Sequence, residues 1–248
     1  SNFLNINEFI PTSTYETEDE NEVKTEVSGV IEIPTNLNVS IQTNAVKTQY
    51  DDVTIENLRG NVQIQNGTLK LSNGTLDIIG ATAKMDAMYK NEGTQKAYFD
   101  YKINASEFDI KRAYNEIKMF REIVTAAESA EGIVGLNYSI KGVLNNQMEP
   151  IMPSLEGSGI LSVKKVKMKG FKLLNVVSSK TENPDIKDPD ISKVDIKTTI
   201  KNNIVTIERF KFKVAGFRLR FEGQTSLDGK LNLKMRIGLP PLGILGIP

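Results

Sequence analysis

The chain has no cysteine, no histidine and no tryptophan. Without cysteine there is no disulfide framework, and cysteine usage assigns no redox compartment. Without histidine or cysteine, the usual zinc sites and the commonest base of nucleophilic triads are excluded. No run is long and apolar enough to cross a membrane as a helix. Phosphate loops, nucleophile elbows and basic patches interleaved with aromatics are also missing. The acids Asp51-Asp52, Asp185, Asp188 and Asp190 stand in turn or loop contexts, where aspartate serves the backbone. The expectation is a non-enzymatic protein with no catalytic residues, cofactor, metal or nucleic-acid partner.

What is present is strand. Across 200–237, Phe217, Leu219 and Phe221 alternate with Arg218, Arg220 and Glu222. Leu231, Leu233, Met235 and Ile237 alternate with Lys230, Asn232, Lys234 and Arg236. Side chains change face at each residue of a strand, so this is sheet with one apolar and one charged face. Asn202-Asn203 and Asp228-Gly229 read as hairpin turns, because these residues tolerate positive φ. Phe217, Leu219, Phe221, Leu231, Leu233 and Met235 are expected to line one continuous apolar surface.

The same pattern occurs 136 positions earlier, where residues 62–87 align without a gap. Asn66-Gly67 matches Asn202-Asn203, Gly80 matches Gly216, and Met85 matches Phe221. A matching turn and glycine say more than matching alternation, so an internal repeat is expected. Two ordinary hairpin pairs of one all-β domain are the alternative.

Further strands are expected from Val27 through Gly29, Ile31 and Ile33, then through Leu37 to Ile78, with turns at Asn66-Gly67 and Asn73-Gly74. Residues 81–89 and 97–103 continue the sheet around Asn91-Glu92-Gly93, and 133–143 and 155–168 resume it, with a slip at Lys164-Lys165. Residues 11–26 hold Glu16, Glu18, Asp19, Glu20 and Glu22 and read as a solvated or disordered loop. A calcium loop is rejected there, because the ligand spacing and turn glycine are absent. In between the period changes. Ile110, Ala113, Tyr114, Ile117, Phe120, Val124 and Ala127 recur at three and four, which predicts one amphipathic helix over 109–129, capped by Ser106 or Asp109 and followed by Gly132. Phe171, Leu174 and Val177 predict a short helix after Gly170, and 181–192 a polar loop. Leu4-Asn5-Ile6-Asn7 and Phe108-Asp109-Ile110-Lys111 share an apolar-cap-Ile-polar order, so each unit is expected to open on a strand-to-helix junction. The reading is mainly β: antiparallel, curved meander sheets in two repeat-like units, 1–105 and 106–248, with one long helix packed on the apolar face.

Charge is balanced overall but polarised. Residues 1–50 carry 2 Lys/Arg against 8 Asp/Glu, and residues 201–248 carry 9 against 3. Such polarity orients a protein near an anionic surface, although solvated outer strand positions are commonly lysine-rich. The chain opens SNFLN and closes GLPPLGILGIP, so a signal or anchor is expected outside the sequence.

The segments FDIKRAYNEIKMF, AEGIVGLNYSIKG, SLEGSGILSVKKVKMKGFKLLNVVS and NNIVTIERFKFKVAGFRLRFEGQTSLDGKLNLKMRIGLPP, with the terminal GILGIP, together resemble the C-terminal region of AsmA-like proteins, in the form found in Bacteroidetes-type bacteria. The resemblance covers most of 105–248 and, more loosely, the first half. It rests on glycine and alternation rather than on catalytic signatures. It implies a periplasmic protein, anchored in the inner membrane by an N-terminal helix and linked to outer-membrane assembly and lipid homeostasis. Long relatives form β-grooves whose apolar inner surface is thought to conduct phospholipid, which makes phospholipid the implied partner. A structural or adhesive β-sandwich or barrel with no lipid ligand is the competing reading. The discriminator is whether the apolar face is covered.

Overall fold

The computed structural model describes residues 2–16, 23–50, 53–214, 217–227 and 230–238. The strands are β1 (Phe3–Asn5), β2 (Thr12–Glu16), β3 (Val23–Val27), β4 (Asn38–Tyr50), β5 (Val53–Gln65), β6 (Thr68–Ile78), β7 (Ala81–Glu92) and β8 (Lys96–Asp109), then β9 (Ala130–Leu144), β10 (Glu156–Met168), β11 (Asp190–Ile191), β12 (Val194–Lys201), β13 (Ile204–Val214), β14 (Phe217–Ser226) and β15 (Leu231–Gly238). The helices are α1 (Ile110–Glu116), α2 (Lys118–Ile123) and α3 (Lys172–Thr181). The protein is thus mainly β, with a large, mostly antiparallel sheet. Its strand order is β1-β4-β5-β6-β7-β8-β9-β10-β12-β13-β14-β15, with β11 on β10, and β2 and β3 pair separately. Two compact units divide the chain. One holds 1–105, 137–157 and 201–203, and the other holds the remainder.

In the first unit, Asn66-Gly67 closes β5 and β6 with φ of 50° and 70°, and Ile79-Gly80 closes β6 and β7 with φ of 48° and 77°. Positive φ at both central residues is what a two-residue hairpin of matching twist requires. Asn73-Gly74, expected as a turn, lies inside β6. There the β6–β7 register shifts between Leu71 and Gly74, and the Asp86 carboxylate accepts from the Asn73 N–H. A bulge and a turn draw on the same left-handed tolerance of asparagine, so the local signal was real and its use different.

Residues 11–26 are not simply a loop: β2 and β3 pair from Thr12 with Val27 to Glu16 with Val23, while Glu18, Asp19, Glu20 and Glu22 lie outside the described residues. The strand expected over 27–33 ends at Val27. Segment 28–33 instead runs as an extended strap. Val30 N–H donates to Thr94 O, Ile33 N–H to the Asn91 side chain, and the Tyr89 hydroxyl to Ile31 O at 2.8 Å. Val30 and Ile33 are buried, and the alternating sequence is held by one main-chain bond and two side-chain bonds in place of a ladder.

In the second unit the expected 109–129 helix is broken. Ile117 is extended (φ −114°, ψ 102°) between α1 and α2, and a 3-10 turn, Thr125–Ser129, follows. Arg121 bridges the break: its guanidinium donates to Tyr114 O and Asn115 O at the end of α1. Phe120, now half-buried, meets the Phe108 ring edge-on at 6.0 Å. Asp109, rather than Ser106, caps α1 by accepting from the Arg112 N–H. Gly132 does not end a helix. It lies within β9 at φ 135°, with the Lys165 carbonyl where a Cβ would stand. Lys164 and Lys165 are both exposed between buried Val163 and Val166, the phase slip read from the sequence. The 181–192 loop contains a 3-10 turn, Pro184–Ile186, with Ile186 fully buried, and β11, which pairs with Val166 and Lys167.

Hairpins β6–β7 and β13–β14 carry the same register 136 positions apart. Thr68 faces Lys90 as Ile204 faces Ser226, and Ile78 faces Ala81 as Val214 faces Phe217. The shift at Leu71/Gly74 recurs at Ile207/Phe210. Across each bulge an acid holds the extra residue: Asp86 accepts from Asn73, and Glu222 accepts from Arg209. The Gly216 counterpart of Gly80 lies outside the described residues.

Candidate functional site

The apolar face of β13, β14 and β15 is built by register. Residues directly opposite in an antiparallel pair share a face. One row is Phe212, Leu219 and Ile237, and the next is Phe210, Phe221 and Met235. Ile207, Gly223 and Leu233 follow, then Val205, Thr225 and Leu231, while Val214 and Phe217 close the opposite end. Phe217, Leu219, Phe221, Leu233 and Met235, named from the sequence, therefore share one face by pairing, and Leu231 pairs with Thr225. The Asp228-Gly229 turn expected between β14 and β15 lies outside the described residues, but Ser226 N–H donates to Lys230 O where the strands begin to pair.

Burial across this face is graded. Leu219 is fully buried and Phe221 nearly so, whereas Phe217, Leu233 and Met235 are half-buried. Ile237, on the terminal strand of the order, is 38% exposed. Phe210 and Phe212 stack at 5.8 Å, and Phe210 lies 5.3 Å from Phe221. These two phenylalanines were missing from the expected set, although the alternation Phe210, Phe212, Val214 marks them. Gly223 leaves a notch between Ile207 and Leu233. A Cβ there would stand 2.5 Å from Asn232 O, so β14 and β15 approach closely.

The first unit has a comparable face. Ile41 faces Val62 and Val62 faces Leu71, with Ile41 49% exposed and the other two half-buried. Further along, Leu76 faces Ala83, and both are buried. Burial pushes the Tyr89 hydroxyl on this face up to about 12.

Asp185, Asp188 and Asp190, singled out in the sequence, lie apart from the strands of these surfaces. Asp188 accepts from the Gly170 N–H, and Asp185 lies in a 3-10 turn, its N–H donating to the capping Asn183 side chain. Asp51-Asp52 lies outside the described residues. Among the described residues no cluster of acids is placed to hold a metal ion, and no helix is long and apolar enough to cross a membrane. Comparison of the chain with family models, curated proteins and solved structures finds no match.

Proposed function

We propose that the chain is a non-enzymatic, periplasmic envelope protein of AsmA type, built from two repeat-like units. Its sheet holds phospholipid acyl chains on the apolar face, in outer-membrane assembly or lipid homeostasis. The observation that carries this reading is the graded cover of the β13–β15 face, from fully buried Leu219 to exposed Ile237. Phe217, Leu233, Met235 and Ile237 stay partly open together on this one face, and contiguous apolar surface left open marks a binding site. The repeated register of β6–β7 and β13–β14, down to the bulge, supports duplication of one hairpin. The resemblance of 105–248 to AsmA-like sequences supplies the lipid and the envelope.

The complete burial of Leu219 favours the competing reading, a closed structural or adhesive module. Leu233→Asp separates the two. On an open face the substitution abolishes uptake of a photo-crosslinkable phospholipid and leaves the melting temperature nearly intact. In a closed core it buries an unpaired carboxylate, costs several kcal/mol and unfolds the unit. Loss of stability, with no lipid crosslinked to the unsubstituted protein, overturns the lipid reading.

A further inference from the structure

The opposite face of β13–β15 is cationic to a degree its fold does not require. Lys211 faces Arg220, and Arg220 faces Arg236, a row of three cations across three strands. Lys213 faces Arg218 in the neighbouring row. All five side chains are exposed, as are Lys234 and Arg209. The acids of these strands are Glu208 and Glu222, and Glu222 is engaged by Arg209 at 2.8 Å. Like charges set directly opposite one another destabilise a sheet, so the arrangement carries a cost in the isolated protein.

Hairpin β6–β7 provides the control. With the same register and bulge, it holds Thr75, Asp77, Thr82 and Lys84 where β13–β14 holds Lys211, Lys213, Arg218 and Arg220. There Asp77 accepts from Thr82 and from Asn57. The scaffold thus accommodates a balanced polar face, and the cations of β13–β15 answer to something outside it.

We propose that this cationic face docks on the anionic phospholipid surface of a bilayer. Charge complementarity supplies the attraction. The arrangement of aromatics selects the partner. Proteins that take single-stranded nucleic acid interleave cations with aromatics on which bases stack. Here Phe210, Phe212, Phe217 and Phe221 all lie on the apolar face, and the cationic face carries none. A ribbon of exposed lysine and arginine without stacking groups suits a field of phosphate headgroups.

Vesicle flotation tests the inference, with phosphatidylcholine vesicles set against an equal mixture of phosphatidylcholine and phosphatidylglycerol. The protein should float with the mixed vesicles alone. Release is expected on raising salt from about 0.1 M to about 1 M, where the screening length falls from about 10 Å to about 3 Å. Each cation near an anionic bilayer contributes about a fivefold change in partition, so Lys211→Gln/Arg220→Gln/Arg236→Gln should weaken binding about a hundredfold. Its melting temperature should hold or rise, since a repulsive row has been removed. The charge-matched control Lys70→Gln/Lys84→Gln/Lys102→Gln, on exposed positions of the first unit, should bind as the unsubstituted protein does. Equal binding to neutral vesicles, full binding by the first triple variant, or equal loss in the control overturns the proposal. Tighter binding to duplex DNA than to mixed vesicles at the same salt overturns the choice of partner. The docking is independent of acyl-chain uptake: in detergent micelles without anionic lipid, the Lys211→Gln/Arg220→Gln/Arg236→Gln variant should crosslink a photo-reactive phospholipid as the unsubstituted protein does, so the two readings fail separately.

Discussion

Leu219→Ala measures how much of the β13–β15 face is core. Leu219 sits between Phe212 and Ile237 in its row and is fully buried. Truncation to alanine forfeits the transfer free energy of the removed carbons and leaves a cavity that its strand-held neighbours fill only in part, about 3 kcal/mol in all. For a chain of this size, each kcal/mol moves the midpoint by about 3 °C, so the drop should be about 10 °C. Leu233→Ala, two rows away on β15, removes the same atoms from a half-buried position opposite Gly223. It should cost about 1 kcal/mol, or about 3 °C. Thermal melts followed by circular dichroism read both. Equal drops mean that the face is covered evenly and that the gradient carries no functional meaning. A harmless Leu219→Ala removes even the buried end.

Gly132→Ala should cost about 3 kcal/mol or more, because φ of 135° excludes an L side chain and the Lys165 carbonyl occupies the Cβ position; an unchanged denaturation midpoint refutes this close approach of strands. Tyr89 ionises near 10 in the unfolded chain and at about 12 in the fold, so its contribution is complete below pH 10 and is lost as pH rises through the folded value. Tyr89→Phe should flatten the stability decline between about pH 10 and 12, at the cost of the bond to Ile31 O, as alkaline denaturant titrations would register.

The sequence displayed most of the sheet because alternation and hairpin residues act locally. Asn202-Asn203 adopts φ of 52° and 64°, as its turn requires, and the strands around it have the expected phase. What escaped was held by distant partners. The strap at 28–33 alternates like a strand, but Asn91, Thr94 and Tyr89 decide its course. The period of 109–129 is helical throughout, yet Arg121 stabilises the break at Ile117 by satisfying carbonyls six and seven residues back. Thr12, Thr14, Val23, Thr25 and Val27 gave the β2–β3 hairpin a β-branched signal that the acidic residues around it obscured. The apolar surface was legible residue by residue, whereas its cover was not, since burial depends on what packs above the face and not on the strand itself.

Lipid extraction with native mass spectrometry of the protein purified from a bacterial envelope decides whether the sheet holds lipid. Co-purified phospholipid is expected, lost on substitution of Leu233 by aspartate while the protein stays folded. Protein free of lipid in every preparation, together with a Leu233→Asp variant that unfolds, contradicts the lipid reading and leaves a closed structural module.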